Sequence, residues 1–351
     1  MAGAPGTLSK LALVKGATWG TAATLTTGHR APFVSTSLAA DRAQIPDESI
    51  LGHPLRAISR NGNRVVAGDI VVQSDYRQVG GLLQAAAFMG RAGAPAAVEP
   101  GVKLHTLKLA DDVSGIFLTA GVDLGAAKVE TFKSIKCVRR LIDLRSGVPA
   151  KETFGYVGRG LDDSGASSGW TYATDPNGDG QQQVLLSHAV LRINAQAGAS
   201  LGSGDVCYPV AVMVDMTRPL GVEYGQSPDP EEPIPSGWGE VKLTLTFYAL
   251  TTTLYTLLRT AHLNESNLKA DLVMSWPTLL GATAYPQWAL YFPMLRVTRV
   301  PLTVPGSQKI PFTCEMTAHD AGASAPSGFT AGFTNAMVET RQIALTTDIL
   351  A

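Results

Sequence analysis

The sequence repeats itself, and the repeat restricts the chain to architectures that use one building plan twice. Laying Gly68 on Gly239, a shift of 171 residues, aligns GDIVVQSDYRQVGGLLQAAAFMG with GEVKLTLTFYALTTTLYTLLRTA. In each copy a glycine and an acid (Asp69, Glu240) open an alternating stretch in which Ile70, Val72 and Tyr76 match Val241, Leu243 and Phe247. Successive side chains of a strand point to opposite faces, so a period of two with one apolar face predicts a half-buried strand. The period then changes. Leu83, Ala86 and Ala87 stand at i, i+3 and i+4, as do Leu254, Leu257 and Leu258, which predicts one short amphipathic helix per copy, at about 79–89 and 251–262. Thr251 to Thr253 supply N-caps for the second helix, and Gly90 is a C-terminal stop for the first.

A weaker second block recurs: SIKCVRRLIDLRSGVPAKETFGYV from Ser134 is similar to LRVTRVPLTVPGSQKIPFTCEM from Leu295, each reading as two strands joined by a turn, at Gly147 and Gly306. Here the shift is 159, so the second copy is 12 residues shorter between its two blocks. Each copy also has a long polar segment ahead of its repeated strand, at about 37–68 (with PDES and SRNGNR) and about 217–239 (with GQSPDPEEPIPSG). Loops of that length are uncommon inside compact domains and are usually functional. GLDDSGASSGWTYATDPNGDGQQQ, rich in Gly, Ser, Asp and Asn, reads as a linker, which divides the chain into domains at 1–174 and 175–351.

At 351 residues either half can bury a core of its own. Charged residues are only 16% of the chain against 45% apolar, and a surface that poor in charge points to extensive cover by further copies of the chain. Net charge is −1 with no dense run of Lys and Arg, which argues against a tight nucleic-acid clamp. The chain opens without a basic start and continuous apolar run, so no secretion signal and synthesis in the cytosol are expected. No charged residue falls between Leu272 and Leu295, yet Pro277, Pro286 and Pro293 interrupt that stretch. Each would cost a helix interior about 3 kcal/mol, so strand, loop, strand is predicted, with a bare surface for a neighbouring subunit and no membrane span.

Catalytic and cofactor chemistry finds little support. Cys137, Cys207 and Cys314 are odd in number and far apart, as for reduced core cysteines. DPNGDG (Asp175 to Gly180) starts like a calcium loop but has Leu186 where the twelfth position needs a bidentate glutamate. GYVGRG (Gly155 to Gly160) lacks the following lysine and hydroxyl of a phosphate loop. The six histidines are scattered, and no nucleophile elbow occurs. No enzyme, cofactor or metal site is expected.

The opening LVKGATWGTAATL, followed by polar segment, GDIVVQSDY strand, LLQAAAF helix and a hairpin ending in KETFGYVG, resembles the major tail tube proteins of long-tailed, siphovirus-like bacteriophages, in the class with two tube domains per chain. The resemblance rests on the order of elements along nearly the whole chain. It implies a mainly β fold of two tandem tail-tube-like β-sandwich or barrel domains, each with a short flanking helix. It also implies a virion protein whose rings, three chains presenting six similar units, stack into a tube that conducts double-stranded DNA to the host without binding it tightly. Implied partners are the chain itself and tail terminator, tape measure and baseplate proteins. On this reading Asp69, Gln73, Asp75, Glu240 and Lys242 are candidates to line the channel, with Arg139, Arg140, Asp143 and Arg145 required to point outward or to pair. Pro46, Asp47, Glu48, Pro228, Asp229 and Glu231 are candidates for ring-stacking loops. The alternatives are a tail-completion or baseplate ring protein of related fold, or a tandem β-sandwich adhesin or carbohydrate-binding module built on Trp170, Tyr172 and Trp238.

Overall fold

The computed structural model describes residues 9–46, 59–90, 94–124, 129–162, 182–248, 251–300 and 311–345. Most of the expected linker (163–181) with the domain boundary, the DPNGDG run, Asp47, Glu48, Trp170, Tyr172 and Gly306 lie outside the described residues. Among the described residues the fold is mainly β with two α-helices, as the sequence predicts. The first half contributes β1 (Lys10–Lys15), β2 (Ser35–Thr36), β3 (Ala39–Pro46), β4 (Ser59–Gln73), α1 (Val79–Met89), β5 (Ala96–Glu99), β6 (Val102–Lys108), β7 (Leu118–Asp123), β8 (Val129–Arg145) and β9 (Lys151–Leu161). The second contributes β10 (Ala189–Ala195), β11 (Val206–Cys207), β12 (Ala211–Thr217), β13 (Leu220–Gly221), β14 (Ile234–Pro235), β15 (Glu240–Phe247), α2 (Thr252–Leu263), β16 (Asn267–Ser275), β17 (Gln287–Arg299), β18 (Phe312–His319) and β19 (Val338–Ile343).

Antiparallel pairing runs in the same order in each half. The first is β2/β3–β4–β9–β8–β7–β1; the second is β12–β15–β18–β17–β16–β10. The halves are not separate sheets, because β12 pairs along β8 from Ala211↔Arg145 to Thr217↔Arg139, and β19 pairs with β6. The two halves therefore share one sheet. The change of shift between the repeated blocks has a visible cause: the first half inserts the β5–β6 hairpin between α1 and β7, and the second recovers part of that length in the loop Trp276–Pro286.

The repeated strands keep the predicted alternation. Ile70, Val72, Tyr76, Val241, Leu243 and Phe247 are all buried in one continuous core. Cys137, Cys207 and Cys314 are buried and unpaired, and burial pushes the Cys137 thiol up to about 12. The uncharged stretch from Leu272 to Leu295 is strand, loop, strand: on the strands Leu272, Met274, Trp288, Leu290, Phe292 and Leu295 are covered within the chain, while the loop between them exposes Leu279 and Tyr285. Among the described residues no helix is long and apolar enough to cross a membrane.

The first polar segment differs from the loop predicted for it, while the second is irregular over 222–233. In the first, β3 and the start of β4 form an extended hairpin arm, exposed along most of its length. Both faces of such an arm meet water, so its sequence lacks the one-sided apolar alternation that marks a strand. At the arm's base Gly68 has φ +141°, and a Cβ there would lie 2.4 Å from the Ser37 carbonyl oxygen, so only glycine lets the two strands approach. The second segment folds back onto the first half, with a short β13–β14 pairing at its ends.

Candidate functional site

One face of the sheet packs into the core; the other is open. Across the registers a single row on the open face reads Val71, Thr153, Leu141, Asp215, Lys242, Thr317, Arg296, on strands β4, β9, β8, β12, β15, β18 and β17. The face thus passes from one half to the other without interruption. Asp69 and Gln73 on β4 and Glu240 and Lys242 on β15 belong to it, and all are at least partly exposed. Asp75 does not. The strand ends at Gln73, and the Asp75 carboxylate accepts from the backbone N–H of Arg77 (2.8 Å) and Gln182 (3.0 Å), which makes it part of a turn.

Four cations on this face pair with carboxylates, while Lys151, exposed beside Gln73, makes no ion pair among the described residues. Arg139 meets Asp215 at 2.9 Å across the seam between the halves, Arg145 meets Asp143 at 3.0 Å, Lys242 meets Glu240 at 2.8 Å, and Arg299 meets Glu315 at 3.3 Å. Hydrogen bonds donated to these carboxylates raise the pKa of Arg139, Arg145 and Lys242, so each stays charged and locally neutralised. Gly155 sits between Asp69 and Arg139 in register; a Cβ there would be 3.1 Å from Asp69 Oδ1 and 3.3 Å from Arg139 Cβ.

Arg140 is the exception among Arg139, Arg140, Asp143 and Arg145. Alternation turns it into the core, where it is fully buried. It pairs with Glu152 of β9 at 2.6 Å and with Glu339 of β19, while Arg341 reaches Glu339 at 2.7 Å and Glu152 at 3.2 Å. Burial pushes the Glu339 carboxyl up, but Arg140 and Arg341 outweigh it and hold it down to about 2. This four-residue lattice ties the C-terminal strand to the first half. The sequence reading missed it, because nothing local connects residues about 190 positions apart.

The stacking candidates separate. Pro46 ends β3, and Pro228 and Glu231 are exposed. Asp229 is buried and grips Arg64 of the arm through two hydrogen bonds, at 2.7 and 2.9 Å, while the Arg64 amide donates to the Pro228 carbonyl at 2.8 Å. Glu232 pairs with the buried Lys136 at 2.7 Å, and Trp19 Nε1 donates to the Pro230 carbonyl. The second polar segment is thus a clasp over the base of the arm. Apolar side chains are exposed at both ends of the sheet: Ile234 and Trp238 near the clasp, Val148, Tyr208 and Tyr248 near the β8–β9 turn.

A long antiparallel sheet with one core face and one continuous, charge-paired polar face defines a β-sheet subunit built to present an extended surface. The chain belongs to the phage tail tube protein family, whose sequence profile matches residues 6–316. No curated protein matches the chain. Family membership makes it a structural protein of the phage virion tail that self-assembles into a tube.

Proposed function

We propose that three copies close into a ring of six pseudo-equivalent units, that rings stack into the tail tube, and that the open face lines the channel through which DNA passes to the host. The observation that carries this reading is that face: seven strands wide, shared by both halves, with Arg139, Arg145, Lys242 and Arg299 each matched to a carboxylate. A row of unmatched cations would retain DNA through counterion release; matched pairs offer little net charge beyond a Debye length of about 10 Å. The chain acts structurally, with no catalytic role, and its further partners are terminator, tape measure and baseplate proteins at the ends of the tube. Synthesis takes place in the host cytoplasm.

The exposed apolar residues at the two ends of the sheet supply ring-to-ring contacts, and the arm ending at Pro46 extends the end that carries the clasp. Electron microscopy of the purified protein tests this. Hollow tubes with a bore wider than the duplex diameter of about 20 Å are expected. Stable monomers at high concentration would overturn the reading, and single rings that never stack would favour a baseplate or tail-completion role. Deleting Pro46 to Gly52 is expected to leave rings intact and shorten the tubes; unchanged tube length would remove the arm from stacking.

A further inference from the structure

Two cavities flank Trp238 at the end of the sheet that carries the clasp, and Arg218, the residue after β12, lines both. The larger is about 560 Å³. Arg218 is only 7% exposed. Its backbone N–H donates to the Val138 carbonyl at 2.8 Å, Nη2 donates to the Ala110 carbonyl at 2.9 Å, and the guanidinium carbon lies 5.6 Å from the centre of the Phe88 ring. Nη1 has no hydrogen-bond partner within the chain, and neither has Oδ1 of Asn335, which lines the same larger cavity. The buried cations Arg140 and Lys136 are matched to carboxylates. Arg218 makes no ion pair among the described residues, although Asp111 lines the cavity with it.

A group that covers this cavity has to offer Nη1 an acceptor and Oδ1 a donor, since a polar atom shut away from water without a partner is destabilising. Asp111, Glu240 and Asp320 line the same space, so an anion would be repelled. A neutral hydroxyl satisfies both requirements, and an aromatic ring carrying it would lie against the indole of Trp238, which is 97% exposed. That describes the phenol of a tyrosine. Tyr208 is 81% exposed and belongs to the opposite end of the sheet: it stands three residues before Ala211, where β12 begins, whereas Arg218 follows Thr217, where β12 ends. The 7 residues of that strand hold the two ends about 23 Å apart.

From this we infer that Tyr208 of one copy inserts beside Trp238 of the next copy along the tube axis, with its hydroxyl between Arg218 and Asn335. Knob and pocket lie at opposite ends of one strand, so the contact is heterologous and repeats without closing. The inference rests on the tube reading and adds to it a rotational setting. At the 171-residue shift Trp238 falls on Ala67, so the first half has no indole at the matching place. A ring of six pseudo-equivalent units could sit on its neighbour with second halves over second halves or over first halves. Only the former seats Tyr208, and one contact per chain therefore fixes the setting that the pseudo-symmetry leaves open.

Photo-crosslinking of full-length protein in assembled tubes is the test. Chains carrying para-azidophenylalanine at position 208, which differs from tyrosine only in its para substituent, are mixed with excess parent chains, assembled and irradiated. Links between copies that join position 208 to residues 235–241 or 335–336 are expected. Links to 64–70, the matching stretch of the first half, would overturn the pocket and the rotational setting. Labelled tubes with links elsewhere, or with none, would overturn the pocket and leave the tube reading standing; a parent protein that forms no tubes would overturn both. Tyr208→Phe and Tyr208→Ala are a second arm. The protein concentration needed for tube growth should rise about tenfold when the hydroxyl alone is lost and further when the ring goes too, with the melting temperature of the unassembled chain unchanged. Growth of either variant at the parent concentration would contradict the inference.

Discussion

The two halves run the same strand order and then spend it differently. In the second half the polar segment before the repeated strand is a clasp pinned by Asp229, Pro230 and Glu232; in the first it is an exposed arm. The helices differ as well. α1 is buried from Gly80 to Met89, packed against β8, β6 and β1, and has no side-chain cap. On α2 only Leu258 and Ala261 are buried, and Thr251 Oγ1 caps the helix by accepting from the Leu254 amide at 3.2 Å. The second half thus holds the first together, while the first keeps free the surfaces that reach outward.

The largest effect should come from the lattice that locks β19 onto the first half. Glu339→Gln removes a carboxylate from two buried guanidiniums and should cost about 3–5 kcal/mol, because an uncompensated buried charge remains; a lowered urea midpoint with tube assembly impaired is the expected result. The same lattice predicts an acid dependence. The folded-state pKa of Glu339 is held down to about 2 from an ordinary 4.5. Its contribution is therefore fully present above about pH 4.5 and is lost as pH falls towards 2. Melting temperature should drop more steeply over that interval in the parent protein than in the Glu339→Gln variant.

Asp229→Ala should come next, at about 1.5 kcal/mol, since it removes charged hydrogen bonds from a partly buried arginine. The discriminating readout is amide exchange: protection at Arg64 should fall while β15 is unchanged. Thr251→Ala should cost about 1 kcal/mol by removing the cap of α2, measured by urea unfolding, with no equivalent substitution available on α1. Asp215→Asn should change stability least, by less than about 1 kcal/mol for so exposed a pair. Its effect belongs to function: with Arg139 unmatched on the open face, tubes should bind duplex DNA more tightly at low salt, and the gain should vanish as salt rises.

These contrasts also show what the sequence could disclose. β4, β15 and both helices were legible because burial on one side imposes a period, as in Ile70, Val72, Val241 and Leu243. The arm was not, since Asp41, Arg42, Asn61 and Arg64 alternate with nothing apolar enough to mark a buried face. The open-face charges were legible in kind, through Asp69, Glu240 and Lys242. Their pairing was not, because Arg139 and Asp215 meet only once β12 is seated on β8. Asp75 was misplaced for a local reason: the period of two was carried past Gln73, where the chain already turns. Arg140 was flagged as needing a partner, and one of its two, Glu152, lies on the neighbouring strand, but the other, Glu339, is far along the chain on β19.

The central claim is that the open face shared by both halves lines the bore. A helical reconstruction of self-assembled tubes by electron cryomicroscopy tests it most directly. The account predicts Asp69, Arg139, Asp215, Lys242 and Glu315 facing the channel in every ring, with the α1 and α2 helices outside the wall. A reconstruction that turned this face outward, or buried it between stacked rings, would contradict it.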